Sequence, residues 1–322
     1  MKKLLTYLVA GAMLAGSCTE RNVVEDEPAP DLVNYRACAA HDVLEAQLAA
    51  DPKLRDRIEN IEAHTRAAIE SGRLNELGQI VIPVVVNVIY RTSQENISNA
   101  QIQSQIDVLN EDFNAANADL SNTPSRFTNA IGNIGLQFEL VKVVRKSSNK
   151  TSWRTNDDMK KSNKGGIAPT SPTTHLNIWV VNRMTSGNST ILGYAQFPGG
   201  NPATDGVVVG YNFFGRTGVL SAPFNKGRTA THEVGHWLNL RHIWGDTNCG
   251  NDLVGDTPQH NTYNFGCPSF PHYSTCSGNP VEMTMNYMDY TDDGCMYMFT
   301  KGQRNRSLAV FAPNGPRAAF AQ

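Results

Sequence analysis

Residues 229–246, TATHEVGHWLNLRHIWGD, hold three histidines and a glutamate at spacings that can do chemistry. His232 and His236 are four positions apart. At about 3.6 residues per turn both imidazoles lie on one helix face, with backbones about 6 Å apart, so one metal ion is within reach of both. Glu233 projects beside them. His242 comes ten residues after His232, too far along a continuous helix to meet the same ion, so the chain must turn between His236 and His242. Asn239 is the expected turn, because asparagine accepts the left-handed backbone that ends helices better than other residues with a side chain. An amphipathic helix with surface histidines would have no need of this pattern. His41, His64, His175, His260 and His272 show no ligand-like spacing and receive no function.

The implied chemistry is metal-assisted hydrolysis. Three neutral imidazoles leave zinc its full charge and one open position for water, whose pKa falls towards about 7. Glu233 cannot fold back onto an ion held by its neighbours, so it accepts the water's proton and later passes it to a leaving amine.

A frame must position these groups. Residues 79–90, QIVIPVVVNVIY, are rich in β-branched side chains and read as a strand, with Pro83 arguing for an edge or for the point where the chain joins a sheet. Ser98 and Gln101 form an S-x-x-Q capping box, and Ile102, Ile106, Leu109 and Phe113 mark one face of a helix about four turns long that would back the sheet. Residues 136–144 alternate apolar and polar as a half-buried strand, as do Leu176, Ile178 and Val180, and residues 206–211, GVVVGY, add a short one. Upstream, residues 41–70 read as helical, with Leu44, Leu48, Ile58, Ile61 and Ile69 near helical spacing and Gly72 as the stop. That segment has too few large apolar residues to fold alone. No internal repeat is present.

The chain has 322 residues, 40% hydrophobic, with a net charge of -2, enough for one catalytic domain with accessory segments. Charges of both signs are scattered, so neither nucleic acid nor an anionic membrane is favoured as partner. Lys2 and Lys3 precede an apolar stretch over residues 4–15 and then Gly16-Ser17-Cys18, an export signal too short to span a bilayer, and no other segment reaches the roughly 20 apolar residues of a transmembrane helix. Small residues before Cys18 suit lipidation, on a resemblance to the lipobox of bacterial lipoproteins, and Ala15-Gly16-Ser17 also fits ordinary cleavage. Either outcome places the protein outside the cytoplasm, secreted or lipid-anchored at a bacterial envelope surface. Residues 19–36 follow as a polar linker and 37–75 as a helical pro-segment. Cys249, Cys267, Cys276 and Cys295 cluster late in a loop-rich stretch without a C-x-x-C pair, which suits two disulfides better than a thiolate metal site.

HEVGHWLNLRH resembles the extended zinc signature H-E-x-x-H-x-x-G-x-x-H of the metzincin clan, and its surroundings resemble the pappalysin family with its ulilysin-like bacterial and archaeal members. The resemblance covers roughly residues 80–311. Residues 286–290, NYMDY, resemble that family's Met-turn, with Met288 beneath the metal. The resemblance implies an α+β, metzincin-like fold. A twisted mixed sheet, a backing helix and an active-site helix would lead into an irregular, disulfide-pinned C-terminal subdomain. The catalytic domain would span residues 76–322, divided into subdomains 76–242 and 243–322. It further implies the pairs Cys249–Cys276 and Cys267–Cys295, a hydrogen bond from Tyr290 to the oxyanion, and a latch in which Cys38 fills zinc's open position until the pro-segment is cut away, for which Arg66 and Arg73 are suited. Asn239 stands where the clan usually has glycine. The same backbone is open to it at modest cost, which bears on efficiency and leaves metal binding intact.

Asp252, Asp256 and Thr257 offer oxygens of the kind calcium prefers, in a region where related enzymes bind calcium; a solvated loop is the alternative. Asp292 and Asp293 could favour arginine or lysine in a substrate, yet Gly294 occupies the place where an acid would be wanted, and the preference stays unresolved. A substrate strand would add in extended form to the sheet edge near residues 193–197, so cleavage should be internal. The function expected is that of an exported zinc endopeptidase acting on protein or peptide substrates. The rival is a surface binding or adhesion protein that keeps the zinc scaffold without turnover; the intact Glu233 argues against it.

Overall fold

The structure, a computed structural model, describes residues 35–187 and 189–321. The export signal expected over residues 1–18, Cys18 with it, and most of the 19–36 linker lie outside the described residues. Among the described residues no helix is long and apolar enough to cross a membrane.

Helix α1 (Ala40–Ala50) and helix α2 (Lys53–Glu70) come first. The periodicity reads as one helical run, but Asp51 and Pro52 break it, since proline brings no N–H to an α-helical ladder. Gly72, with φ of 68°, ends α2's extension. Besides short 3-10 turns, the strands and α-helices that follow are β1 (Ile80–Tyr90), α3 (Asn99–Phe113), β2 (Leu136–Ser147), β3 (Ser152–Arg154), β4 (Leu176–Val181), β5 (Arg183–Ser186), β6 (Ser189–Ile191), β7 (Gly193–Ala195), β8 (Val207–Gly210), α4 (Arg228–Trp237) and α5 (Lys301–Ala309).

The main sheet is mixed, in the order β2-β1-β4-β8-β7, with β7 antiparallel to β8 and the other pairs parallel. Its class and plan agree with the α+β expectation. β1 is interior, however, not an edge. Pro83 is accommodated because the ladder to β4 begins one residue later, at Val84 with Leu176, so proline sits where β1 has a partner on one side only. β4 also departs from expectation. Every one of its residues is buried, as befits a parallel strand in mid-sheet covered on both faces, where alternation is lost.

α3 backs the sheet through Ile102, Ile106, Leu109 and Phe113, all buried. Asn110 pins it to β2 by accepting from the Phe138 N–H at 2.8 Å and donating to the Phe138 carbonyl at 3.0 Å. Half of the expected capping box forms. Ser98 accepts from the Gln101 N–H, while the Gln101 side chain reaches away to the carbonyls of Tyr211 and Phe214, each at 2.9 Å. The complete box lies at α5, between Thr300 and Gln303.

Between α4 and α5, residues 238–300 form neither helix nor strand beyond isolated bridges. Disulfides Cys249–Cys276 and Cys267–Cys295 tie this stretch together in the pairing the family resemblance implies. Irregular backbone with few ladder bonds depends on such covalent ties.

Candidate metal centre

α4 starts from Gly227, whose φ of 79° a side chain would strain, and all ten of its residues are buried. Its first residue anchors it. The Arg228 guanidinium meets the Asp112 carboxylate of α3 and the Tyr287 hydroxyl, and donates to Asp119 at 3.0 Å. Thr231 adds a 2.6 Å bond to the other Asp112 oxygen. The helix is thereby held between α3 and the Met-turn. Met288 is fully buried against it at Gly235, where a Cβ would fall 2.5 Å from the Met288 sulfur.

The chain leaves α4 through Asn239, which has φ of 72°, the left-handed turn expected there. His242 is thereby returned to its fellows. His236 Nε2 lies 3.2 Å from His232 Nε2 and 3.1 Å from His242 Nε2. Each ring's other nitrogen has an acceptor: His232 Nδ1 on the Tyr287 carbonyl at 2.7 Å, His236 Nδ1 on the Leu240 carbonyl at 2.8 Å, and His242 Nδ1 on the Asp246 carboxylate. With the protons on Nδ1, three Nε2 lone pairs face one another. Such an array repels itself unless a cation sits at its centre, and the spacing suits ligands about 2.0–2.1 Å from one zinc ion.

Burial first, and the neighbouring imidazoles second, push His232 and His236 down, His236 to about 3, which favours the neutral form a metal requires. Asp246 was missed by sequence reading, where an acid four residues past a histidine carries no distinctive signal. Burial works against its charge, yet the bond from His242 keeps its carboxyl below the usual range. Trp244 stacks on His242 at 4.3 Å between ring centroids and stiffens the third ligand.

Cys38 joins this cluster. Its sulfur and one nitrogen from each of His232, His236 and His242 lie within 4.8 Å of one another, the one such grouping able to hold a metal ion among the described residues. The residues before α1 run beside Gly193 on the sheet edge, with the Leu192 N–H bonded to the Ala37 carbonyl at 2.9 Å and the Ala39 N–H to the Gly193 carbonyl at 3.2 Å. The Cys38 sulfur is 3.3 Å from Glu233 Oε2, and the Tyr290 hydroxyl donates to the Cys38 carbonyl at 3.0 Å. Glu233 is buried and pushed up to about 8 by that burial. Gly193 leaves it room, since a Cβ there would fall 2.8 Å from Glu233 Oε1.

Arg36, at the end of the stretch read as a linker, is buried and not part of a solvated tether. Its guanidinium pairs with the Asp293 carboxylate, donates to Thr229 Oγ1 and the Thr291 carbonyl at 3.2 Å each, and lies 5.1 Å from the Phe224 ring. Asp252 and Asp256, read together as oxygen donors, have separate partners. Asp252 accepts from Thr257 Oγ1 and the Val254 N–H, whereas Asp256 accepts from Thr300 Oγ1 and the Gly302 N–H at the start of α5.

This site on this fold defines a zinc peptidase of the metzincin type. The family described as pregnancy-associated plasma protein-A matches residues 168–312. An extracellular metalloprotease of Arthroderma benhamiae is 32% identical over 252 residues, which cover 76% of this chain and 82% of that protein. Among solved structures, mature mirolysin of Tannerella forsythia in complex with a cleaved peptide is 47% identical, with a TM-score of 0.72 over 76% of this chain and 96% of that one. A promirolysin mutant from the same organism is 42% identical, with a TM-score of 0.78 over 88% of this chain and 97% of that one. The chain belongs to the pappalysin family and is a zinc metalloendopeptidase. Its extracellular relatives are in keeping with a secreted protein.

Proposed function

We propose that the chain is made as a latent endopeptidase whose own N-terminal segment fills the cleft, and that once freed it cuts extended polypeptides beside a basic side chain. His232, His236 and His242 hold the zinc, and Cys38 blocks it. One observation carries the reading: residues 36–39 lie along the sheet edge with the Cys38 sulfur among the three imidazoles and Arg36 docked on Asp293. A segment seated in this way occupies the ground a substrate needs. The match to promirolysin, which covers 88% of this chain against 76% for the mature form, supports a removable segment here.

When bound, zinc supplies Lewis-acid polarisation of the scissile carbonyl and of the attacking water. Glu233 takes up the water's proton and delivers it to the leaving amine. The Tyr290 hydroxyl donates to the substrate carbonyl as negative charge develops there, a role supported by its bond to the main-chain carbonyl of Cys38. Asp293 supplies the counter-charge for a substrate's guanidinium or ammonium group, with the Phe224 ring as a wall for its stem.

Two further features belong to this proposal. Export directed by residues 1–17 with lipidation at Cys18 is one. The other is calcium at Asp252, Asp256 and Thr257, whose side-chain oxygens are of the kind that ion takes.

The test is hydrolysis of casein by the zinc-loaded full chain, with and without a chelator, following the N-terminus by mass spectrometry. Cleavage beside basic residues that stops with chelator and accompanies loss of the segment bearing Cys38 is expected; the same spectra report any lipid on Cys18. Zinc-loaded protein that fails to cut after the segment is removed would favour the binding-protein rival.

A further inference from the structure

Beside the metal site lies a shelf of aromatic rings. Tyr290 stacks on Tyr263 at 5.6 Å with 22° between planes, and Tyr263 packs on Phe265 at 4.7 Å. Trp244 meets Tyr263 edge-on at 5.6 Å. Tyr290 and Trp244 are buried, but Tyr263 and Phe265 remain 44% and 43% exposed. Neighbouring rings left that open are the kind of apolar surface a partner covers.

One ring already lies against them. Tyr35, the residue before Arg36, approaches Phe265 to 5.3 Å between centroids at 50°. Arg36 enters the Asp293 site while Tyr35 lies along the shelf. The two positions are fixed relative to each other. The Asp292 N–H bonds the Gly266 carbonyl at 2.9 Å, and the disulfide Cys267–Cys295 closes the same junction, so residues 263–267 and 292–295 form one tied unit.

We infer that Phe265 and Tyr263 form an aromatic-binding subsite, which takes the substrate side chain next to the basic one, on the side away from the scissile bond. The inference rests on Arg36 standing in for the basic substrate residue, and it adds a second selecting position. Its ligand is a planar aromatic side chain, because an offset or tilted ring gains from its faces as well as from buried area. A carboxylate there would meet the negative faces of both rings and the nearby Asp292 and Asp293.

The test uses the zinc-loaded full chain, matured by limited proteolysis of its N-terminal segment. Its substrates are quenched-fluorescent peptides that share one arginine and differ only in the neighbouring residue: tyrosine, alanine or glutamate. Tyrosine is expected to exceed alanine in kcat/KM by about fivefold, with glutamate lowest, and the ratio of tyrosine to alanine should fall to about one in Phe265→Ala. Equal cutting of the tyrosine and alanine peptides by the unaltered enzyme overturns the proposal. So does a Phe265→Ala enzyme that keeps the ratio.

A second measurement depends on neither turnover nor a variant enzyme. Fluorescence polarisation would compare a labelled peptide of residues 35–40, YRACAA, with its Tyr35→Ala version. About fivefold weaker binding of the second is expected, and equal affinity overturns the subsite. An arginine-to-alanine substrate pair reports the Asp293 site separately. If that preference is missing while the tyrosine preference stands, the basic-residue reading fails alone.

Discussion

Arg306 on α5 joins Glu62 on α2 to the turn between the zinc-binding histidines. Its Nη1 donates to Glu62 Oε2 at 2.8 Å, and its Nε donates to the Asn239 carbonyl at 2.7 Å. The Asn239 side chain also reaches Glu62 Oε1, at 3.4 Å. The N-terminal segment therefore grips the bend that brings His242 back to His236. Burial works against the charge on Glu62, yet Arg306 holds its carboxyl below the usual range. Losing hydrogen bonds between charged groups in this part-buried pair costs roughly 1.5–3 kcal/mol. Glu62→Gln in the full chain should shorten the lag before casein hydrolysis by about 10- to 100-fold. An unchanged lag would show that the segment is held elsewhere.

Glu233→Gln keeps the size of the side chain and removes its basicity. Zinc content, read by atomic absorption, should stay at the unaltered level, while kcat/KM falls by about 10²- to 10⁴-fold. A variant that loses its zinc would instead assign Glu233 to the metal's support.

At Asn239 the backbone has φ of 72°. Asn239→Ala should cost about 1 kcal/mol, a drop of about 2–4 °C in Tm for a domain of this size. Asn239→Gly should cost less, because glycine adopts this backbone freely. Both remove the side-chain contact to Glu62. Differential scanning calorimetry of zinc-loaded protein would rank the two, and equal losses would argue that backbone strain is irrelevant here.

Asp289 lies fully buried, near His260 and Glu282, and burial pushes its carboxyl up to about 7 from an ordinary 3.8. A carboxyl whose pKa is higher folded than unfolded gains a proton on folding. Its stabilising contribution is complete below about pH 4 and is lost as pH rises towards 7, by at most about 4 kcal/mol. Asp289→Asn has no proton to exchange, so its urea midpoint should fall less between pH 5 and 7.5 than that of the unaltered chain. Parallel curves for the two would remove Asp289 from the pH dependence.

The metal centre was legible because its spacing is local. Two histidines one helical turn apart, and a third that only a bend could return, constrain geometry within eleven residues. The backing helix and the β-branched strands were legible for the same reason, since each writes its own period. Burial on both faces erased that period in β4, and an interior place for β1 was hidden because Pro83 shows only that one neighbour is missing, not how many strands lie further along.

What the sequence by itself determined, then, was the catalytic chemistry, carried by residues close together along the chain and governed by helical and turn geometry. Tertiary structure alone decided which charged pairs anchor the N-terminal segment. Arg36 finds Asp293 across 257 positions, and Glu62 finds Arg306 across 244. No local period records such pairs, because each partner is one exposed-looking charge among many until packing excludes water and leaves it a single counter-charge.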